Sequence, residues 1–286
     1  MRLLITNDDG IESEGLHVLA SHLVAAGHEV VVVAPDRNYS GSGAALGDLR
    51  PDELLDVRRV GLDALSDVEA WALAGPPALC VVAATLGAFG AAPDLVVSGI
   101  NAGLNTVRSI LHSGTVGAAL TAQNFGLSGL AVSVAHSNPW QWDTAASLAV
   151  ELLDRLVDGP ERSVLNLNVP AVGRSEVKGV RWTHLAPFGA VRATMSARSD
   201  TQVQFELTPS DYHPDEDTDQ GAVDAGWASI STLVGVAEAW PPDGAPPHAA
   251  PDFDVTVAPG APLHPVHEIP DASQPHWLRR PQAGSL

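Results

Sequence analysis

A chain of 286 residues with 34 acidic and only 15 basic side chains carries a formal charge of −19, a field that repels long nucleic acids and anionic membrane surfaces. Its single cysteine, Cys80, excludes an intramolecular disulfide and a cysteine-based zinc site. The first apolar stretch is broken early by Asn7-Asp8-Asp9, and no window approaches the roughly 20 apolar residues that span a bilayer, so neither a signal peptide nor a membrane span is expected and a cytoplasmic location fits.

Leu3–Thr6 reads as a buried strand. Leu16, Leu19, Ala20 and Leu23 then recur at helical spacing until Gly27, a suitable residue just past a helix end. Glu29–Ala34 is the next strand, and strand, helix, strand is the opening of a βαβ unit, which predicts a parallel sheet with helices on its faces. Further on, the pattern predicts helices over Pro77–Leu86 and Thr115–Asn124 and strands over Leu95–Ser98 and Leu130–Val134. Leu148, Leu152 and Leu156 stripe a helix that stops at Gly159, before a strand over Val164–Val169.

Beyond Pro170 the period changes. Val177–Trp182 and Gln202–Leu207 read as strands in a region without helical stripes, and from Pro241 the chain is rich in proline with little periodicity. The expected organisation is therefore a core over residues 1–170, a β-rich extension over 171–240 that completes the domain and makes oligomer contacts, and an extended or partly disordered tail over 241–286.

The chemistry is sought in the loops that follow strands, because open α/β sheets bind ligands at the carboxyl ends of their strands. The first such loop is Asn7-Asp8-Asp9-Gly10. Neighbouring carboxylates repel each other, so Asp8 and Asp9 together call for a compensating cation; an Asx turn with Gly10 at positive φ is the competing reading. The second loop is Ala34-Pro35-Asp36-Arg37-Asn38-Tyr39-Ser40-Gly41-Ser42-Gly43, and the third runs from Gly99-Ile100-Asn101-Ala102-Gly103-Leu104-Asn105 to His112-Ser113-Gly114-Thr115 at a helix start. Carboxylates, a hydroxyl and an amide carbonyl are all oxygen donors, the set that suits Mg²⁺ or Mn²⁺ better than zinc. Ser113-Gly114-Thr115 has the form of a phosphate cradle, and equally of an ordinary helix N-cap.

These strings, in this order and spacing, resemble the SurE family of survival-protein nucleotidases. Asn7–Gly10, Ala34–Asn38 with Ser40-Gly41, Ser98–Gly103 with Asn105, and Ser113–Val116 carry the resemblance, and Leu165–Pro170 and Thr218–Val223 extend it more weakly to about residue 235. The resemblance implies an α/β fold with a Rossmann-like parallel sheet, a phosphatase acting on nucleoside 5′-monophosphates with one divalent metal ion, Mg²⁺ or Mn²⁺, and a homodimer or homotetramer built through C-terminal extensions. Carried onto this chain, the metal ligands fall on Asp8, Asp9, Ser40 and Asn101; from the chemistry of phosphate esters, Asp8 or Asp9 is expected to be catalytic, orienting an attacking water or handling its proton, with an Asp nucleophile as the alternative. The phosphate-contacting positions fall on Asn105, Ser113, Gly114 and Thr115.

The chain departs from the family pattern at Ser42–Gly47, at Gly75–Cys80 and at Thr106–His112, which flank the expected pocket, so a dedicated sugar phosphate or another phosphorylated metabolite is an alternative substrate. A nucleotide-binding protein without turnover is a second alternative. His112 is a candidate general acid and Arg108 a candidate phosphate clamp. His17, His22 and His28 are expected to cap or face solvent, and Trp140 and Trp142 either to stack a base or to pack at a domain edge.

Overall fold

A computed structural model describes residues 1–50, 54–62, 65–189, 191–209 and 211–237; the expected Pro-rich tail lies outside the described residues. In chain order the core elements are β1 (Arg2–Thr6), α1 (Glu14–Ala25), β2 (Glu29–Pro35), β3 (Val57–Val60), β4 (Glu69–Leu73), α2 (Pro77–Thr85), β5 (Leu95–Ala102), a 3-10 turn (Val107–His112), α3 (Gly114–Asn124), β6 (Ser128–Val134), α4 (Trp142–Val157) and β7 (Val164–Val169). The extension adds β8 (Val180–Trp182), β9 (Val191–Arg198), β10 (Val203–Pro209), α5 (Asp219–Asp224) and β11 (Ala228–Leu233).

Among the described residues one sheet of nine strands has the order β3-β4-β2-β1-β5-β6-β7-β11-β8, and β9 and β10 pair by themselves. The pairs from β4 through β7 are parallel, while β3 joins β4 and β11 joins β7 antiparallel. The expected α/β class with a parallel sheet flanked by helices is thus present, and strands occupy the C-terminal extension. Two of those, β11 and β8, continue the main sheet beyond β7.

The helices cover both faces. Leu16, Leu19, Ala20 and Leu23 of α1 and Leu148, Leu152 and Leu156 of α4 bury their stripes on one face with Leu3, Ile5, Val32 and Val97. On the other face Leu79, Cys80 and Val81 of α2 and Ala118 and Ala122 of α3 pack on Leu4, Val31, Val33 and Val96. Alternation along β1 serves both layers, and each fully buried leucine contributes about 1.5–3 kcal/mol of transfer free energy. Several elements ran longer than their periodicity indicated: α1 starts at Glu14, and β5 continues to Ala102 after a break in register between Ser98 and Asn101. There, a side chain on Gly99 would stand 2.4 Å from the Val132 carbonyl, so only glycine lets the two strands come this close.

One feature of the order positions the site. From β1 the chain crosses through α1 to β2 on one side, whereas from β5 it crosses through α3 to β6 on the other. The direction of winding therefore reverses between β1 and β5, whose carboxyl ends lead into loops on opposite sides, the place where open α/β sheets bind their ligands.

Candidate active site

At that reversal stand Asn7-Asp8-Asp9-Gly10 after β1 and Asn101–Asn105 at the end of β5. Asn7 makes the turn. Its Oδ1 accepts from the Gly10 N–H at 3.1 Å, and its Nδ2 donates to the Gly10 carbonyl at 3.1 Å and to Ser13 Oγ at 2.5 Å. Gly10 sits at φ +103°, and a Cβ there would lie 3.1 Å from the Arg37 carbonyl carbon, so another residue closes the loop only with strain. The turn and the carboxylate pair are therefore compatible. Asn7 supplies the turn's hydrogen bonds, and the Asp8 and Asp9 carboxylates are left for other partners.

Asp8 is 3% exposed. Its Oδ2 accepts from the Gly114 N–H at 3.1 Å and its Oδ1 from the Thr115 hydroxyl at 2.5 Å, so the first turn of α3 is aimed at this carboxylate. Asp9 is partly exposed and accepts from Asn38 Nδ2 at 3.1 Å and, at 3.4 Å, from the Ala102 N–H. Burial, and then the charge of Asp8, push the Asp9 carboxyl above the usual range, while the hydrogen bonds from Ala102 and Asn38 pull the other way.

The loop after β2 is tied to the carboxylate turn, and Asn101 stands at the end of β5. The Tyr39 N–H donates to the Asp8 carbonyl at 2.7 Å, and the Ser40 N–H to Asn38 Oδ1 at 2.8 Å. Asn101 donates through Nδ2 to the Gly103 carbonyl at 2.7 Å, turning its Oδ1 toward Thr115 Oγ1 at 3.4 Å. The Thr115 proton is already committed to Asp8 at 2.5 Å, so Asn101 Oδ1 keeps its lone pairs for another partner. Asp8 and Asn101 thus share Thr115, and Asp9 accepts from the Ala102 N–H next to Asn101, while Ser40 lies exposed on the loop that is tied to Asp8 through Tyr39. Ser42 Oγ, buried and without a hydrogen-bond partner, faces the same hollow as Asp8 Oδ2: a Cβ on Gly114 would lie 2.8 Å from each. Two carboxylates, an amide oxygen and hydroxyls are the donor chemistry that suits a hard divalent ion, and among the described residues no group of three or more His, Cys, Asp and Glu is placed to hold a metal.

The expected phosphate positions flank this set. Ser113 caps α3, its Oγ accepting from the Val116 N–H at 3.1 Å, so its side chain serves the helix. Asn105 is gripped by β7. Its N–H donates to Asn168 Oδ1 at 2.8 Å, its carbonyl accepts from Asn166 at 2.8 Å and Asn168 at 2.9 Å, and its own Nδ2 donates to Ser133 Oγ at 2.9 Å. Asn38, Ser133, Asn166 and Asn168 had not been singled out as site residues; two asparagines alternating with leucine and valine in a wholly buried strand were the available signal. Arg108 and His112 are exposed on the 3-10 turn. His17 approaches the Ile11 carbonyl at 2.7 Å and His22 meets Asp143 at 3.0 Å, away from the carboxylates. Trp140 and Trp142 stack at 4.9 Å, with Trp142 buried and donating to Glu14.

An α/β sheet with an oxygen-donor centre at its reversal of winding is the class that fold and site define. Residues 3–189 match the family model described as survival protein SurE. The chain is 39% identical over 242 residues to a 5′-nucleotidase SurE of Chloroflexus aggregans, covering 82% of this chain and 92% of that one. It is 41% identical over 186 residues to a 5′-nucleotidase SurE of Synechococcus elongatus, covering 64% and 70%. Its fold superposes on the crystal structure of the SurE protein from Aquifex aeolicus with a TM-score of 0.69 at 30% identity, over 82% of this chain and 93% of that one. The chain belongs to the SurE family.

Proposed function

We propose that this chain is a metal-dependent phosphatase that hydrolyses nucleoside 5′-monophosphates to nucleoside and inorganic phosphate. The observation that carries the reading is the gathering of Asp8, Asp9 and Asn101 Oδ1 at the carboxyl ends of β1 and β5, in a chain whose relatives are named 5′-nucleotidases. Asp8, Asp9, Ser40 and Asn101 would hold one ion, Mg²⁺ or Mn²⁺. When bound, such an ion neutralises phosphoryl charge and lowers the pKa of a water.

The chain's own groups divide the remaining work. Thr115 and the Gly114 amide lock the orientation of Asp8, while Asp9, the more exposed carboxylate, is the one within reach of an attacking water and its proton. Asn105, fixed from β7, and the start of α3 at Ser113–Thr115, through groups other than the Gly114 N–H and Thr115 hydroxyl that hold Asp8, would receive the phosphoryl group, so that the water attacks phosphorus as the ester oxygen departs with a proton.

Residues 1–170 would form the catalytic core and 171–240 complete it. The β9–β10 hairpin exposes Met195 and Phe205, paired across the ladder, and a two-stranded ladder is marginal alone in water, which supports a homodimer or homotetramer formed through the extension. Among the described residues no helix is long and apolar enough to cross a membrane, and a cytoplasmic location is proposed.

The test is phosphate release from nucleoside monophosphates, sugar phosphates and short polyphosphate with Mg²⁺, Mn²⁺ or EDTA. Metal-dependent release that favours nucleotides is expected; release confined to another ester would move the substrate assignment, and none with any ester would overturn the reading.

A further inference from the structure

The segment from Thr106 to His112 leads from Asn105 to the cap of α3 at Ser113, and it is held from the far end of the chain. Val107 adopts φ +56°, a left-handed conformation in which a β-branched side chain crowds its own backbone. Such a residue persists only where its surroundings over-determine it. Here the Val107 N–H donates to Oδ2 of Asp219 at 2.8 Å, and the Thr106 hydroxyl donates to Oε1 of Gln220 at 2.6 Å. Both partners open α5, beyond the residues matched by the family model.

Asp219 is built to do this. It is wholly buried, and its other oxygen accepts from the Ala186 N–H at 2.9 Å and the Gln220 N–H at 2.8 Å. Burial pushes its carboxyl upward, against the pull of the three N–H groups and the nearby His184. Three donors converging on two oxygens demand a group that only accepts; an amide in the same place would turn an N–H₂ toward one of them. The mount is rigid as well. Thr218 caps α5 by accepting from the Gly221 N–H at 3.2 Å while its hydroxyl donates to the Asp215 carbonyl at 2.6 Å, and a side chain on Gly221 would stand 2.1 Å from that carbonyl.

We propose that Asp219 is a positioning residue for the reaction: from the C-terminal extension it holds Thr106–His112, the segment between Asn105 and the cap of α3, in the arrangement that lets the phosphoryl group be received. It touches neither substrate nor metal. The inference rests on the phosphate-binding role given above to Asn105 and Ser113–Thr115.

The test compares the full chain with Asp219→Asn and with Gln220→Met, which removes only the Thr106 contact. With adenosine monophosphate and Mn²⁺, Asp219→Asn is expected to raise KM about tenfold or more with a smaller change in kcat, while Mn²⁺ affinity by calorimetry stays within about twofold. Gln220→Met shifts KM in the same direction by less. Hydrogen exchange should quicken in peptides spanning residues 105–112 and stay unchanged in β1 and β5. A wild-type KM in Asp219→Asn despite faster exchange overturns the proposal, as does a parallel loss of Mn²⁺ affinity, turnover and protection throughout the sheet, which marks a merely structural residue. If Asp219→Asn does not fold, Gln220→Met decides, and an unchanged KM there overturns it. A wild-type chain that released no phosphate would overturn the phosphatase reading instead, and the exchange comparison would still decide whether Asp219 holds the segment.

Discussion

Thr115 Oγ1 lies 2.5 Å from Oδ1 of Asp8, a hydrogen bond across 107 positions of sequence that ties the carboxylate after the first strand to the first turn of α3. It is one of two donors that the 3%-exposed Asp8 receives, the other being the Gly114 N–H. Thr115→Val keeps the side chain's shape and deletes the hydroxyl. A buried carboxylate oxygen then loses its partner, at a cost of about 1–3 kcal/mol in stability. Asp8 also becomes free to turn, so Mn²⁺ affinity should fall. Urea unfolding and a Mn²⁺ titration check both, and an unaltered affinity would show that the hydroxyl does not orient Asp8.

Asp9 keeps its proton to higher pH than an ordinary aspartate, first because it is buried and then because Asp8 is beside it. A carboxyl whose folded pKa is raised stabilises the fold fully below the unfolded value near 3.8 and loses that contribution as pH rises through the folded value. In EDTA, then, Asp9→Asn should have a higher Tm than the wild type at neutral pH, and the gap should close on acidification. Asp219 is raised in both proteins and drops out of the comparison. Adding Mn²⁺ at neutral pH should raise the wild-type Tm and leave Asp9→Asn nearly unmoved, with turnover lost in the variant. The check is thermal unfolding across pH with and without metal; a gap that widened on acidification would reverse the sign of the argument.

Gly114→Ala puts the best helix former at the first position of α3, where propensity alone predicts a gain. Its Cβ would lie 2.7 Å from Asp8 Cβ and 2.8 Å from both Asp8 Oδ2 and Ser42 Oγ. Overpacking of about 1–3 kcal/mol should win, and because the clash is with Asp8, metal-induced stabilisation should shrink with it. Gly61→Ala, where nothing lies within 4 Å, serves as the control and should stay within about 0.5 kcal/mol of wild type. Equal Tm values for the two variants would mean that the Asp8 loop yields.

Legibility in the sequence followed the range of the interaction. β7 has the bounds its sequence indicates, Val164–Val169, between the helix stop at Gly159 and Pro170, and the α1 and α4 leucine stripes lie on their buried faces. Strands β3, β4 and β11 carried no such mark. β3 is short and largely exposed, and β11 reads Ala-Ser-Ile-Ser-Thr-Leu, small and hydroxyl residues around one Ile and one Leu, so its place depends on pairing with β7 rather than on its own pattern. Asp219 and Asn168 stand in the strings that extend the resemblance, Thr218–Val223 and Leu165–Pro170, without a sign of what they bond; their partners, Val107 and Asn105, stand 112 and 63 positions away.

By itself the sequence determined the layered α/β fold, through hydrophobic periods that act over a few residues, and the identities of the paired carboxylates and the glycine-rich loops after the strands. Only the tertiary structure decided that winding reverses between β1 and β5, that α3 aims its first turn at Asp8, and that the C-terminal extension grips the segment before Ser113. The physical reason is the same in each case. A hydrogen bond is satisfied only when donor and acceptor meet, and here they come from strands and helices whose neighbours are set by packing of the whole sheet.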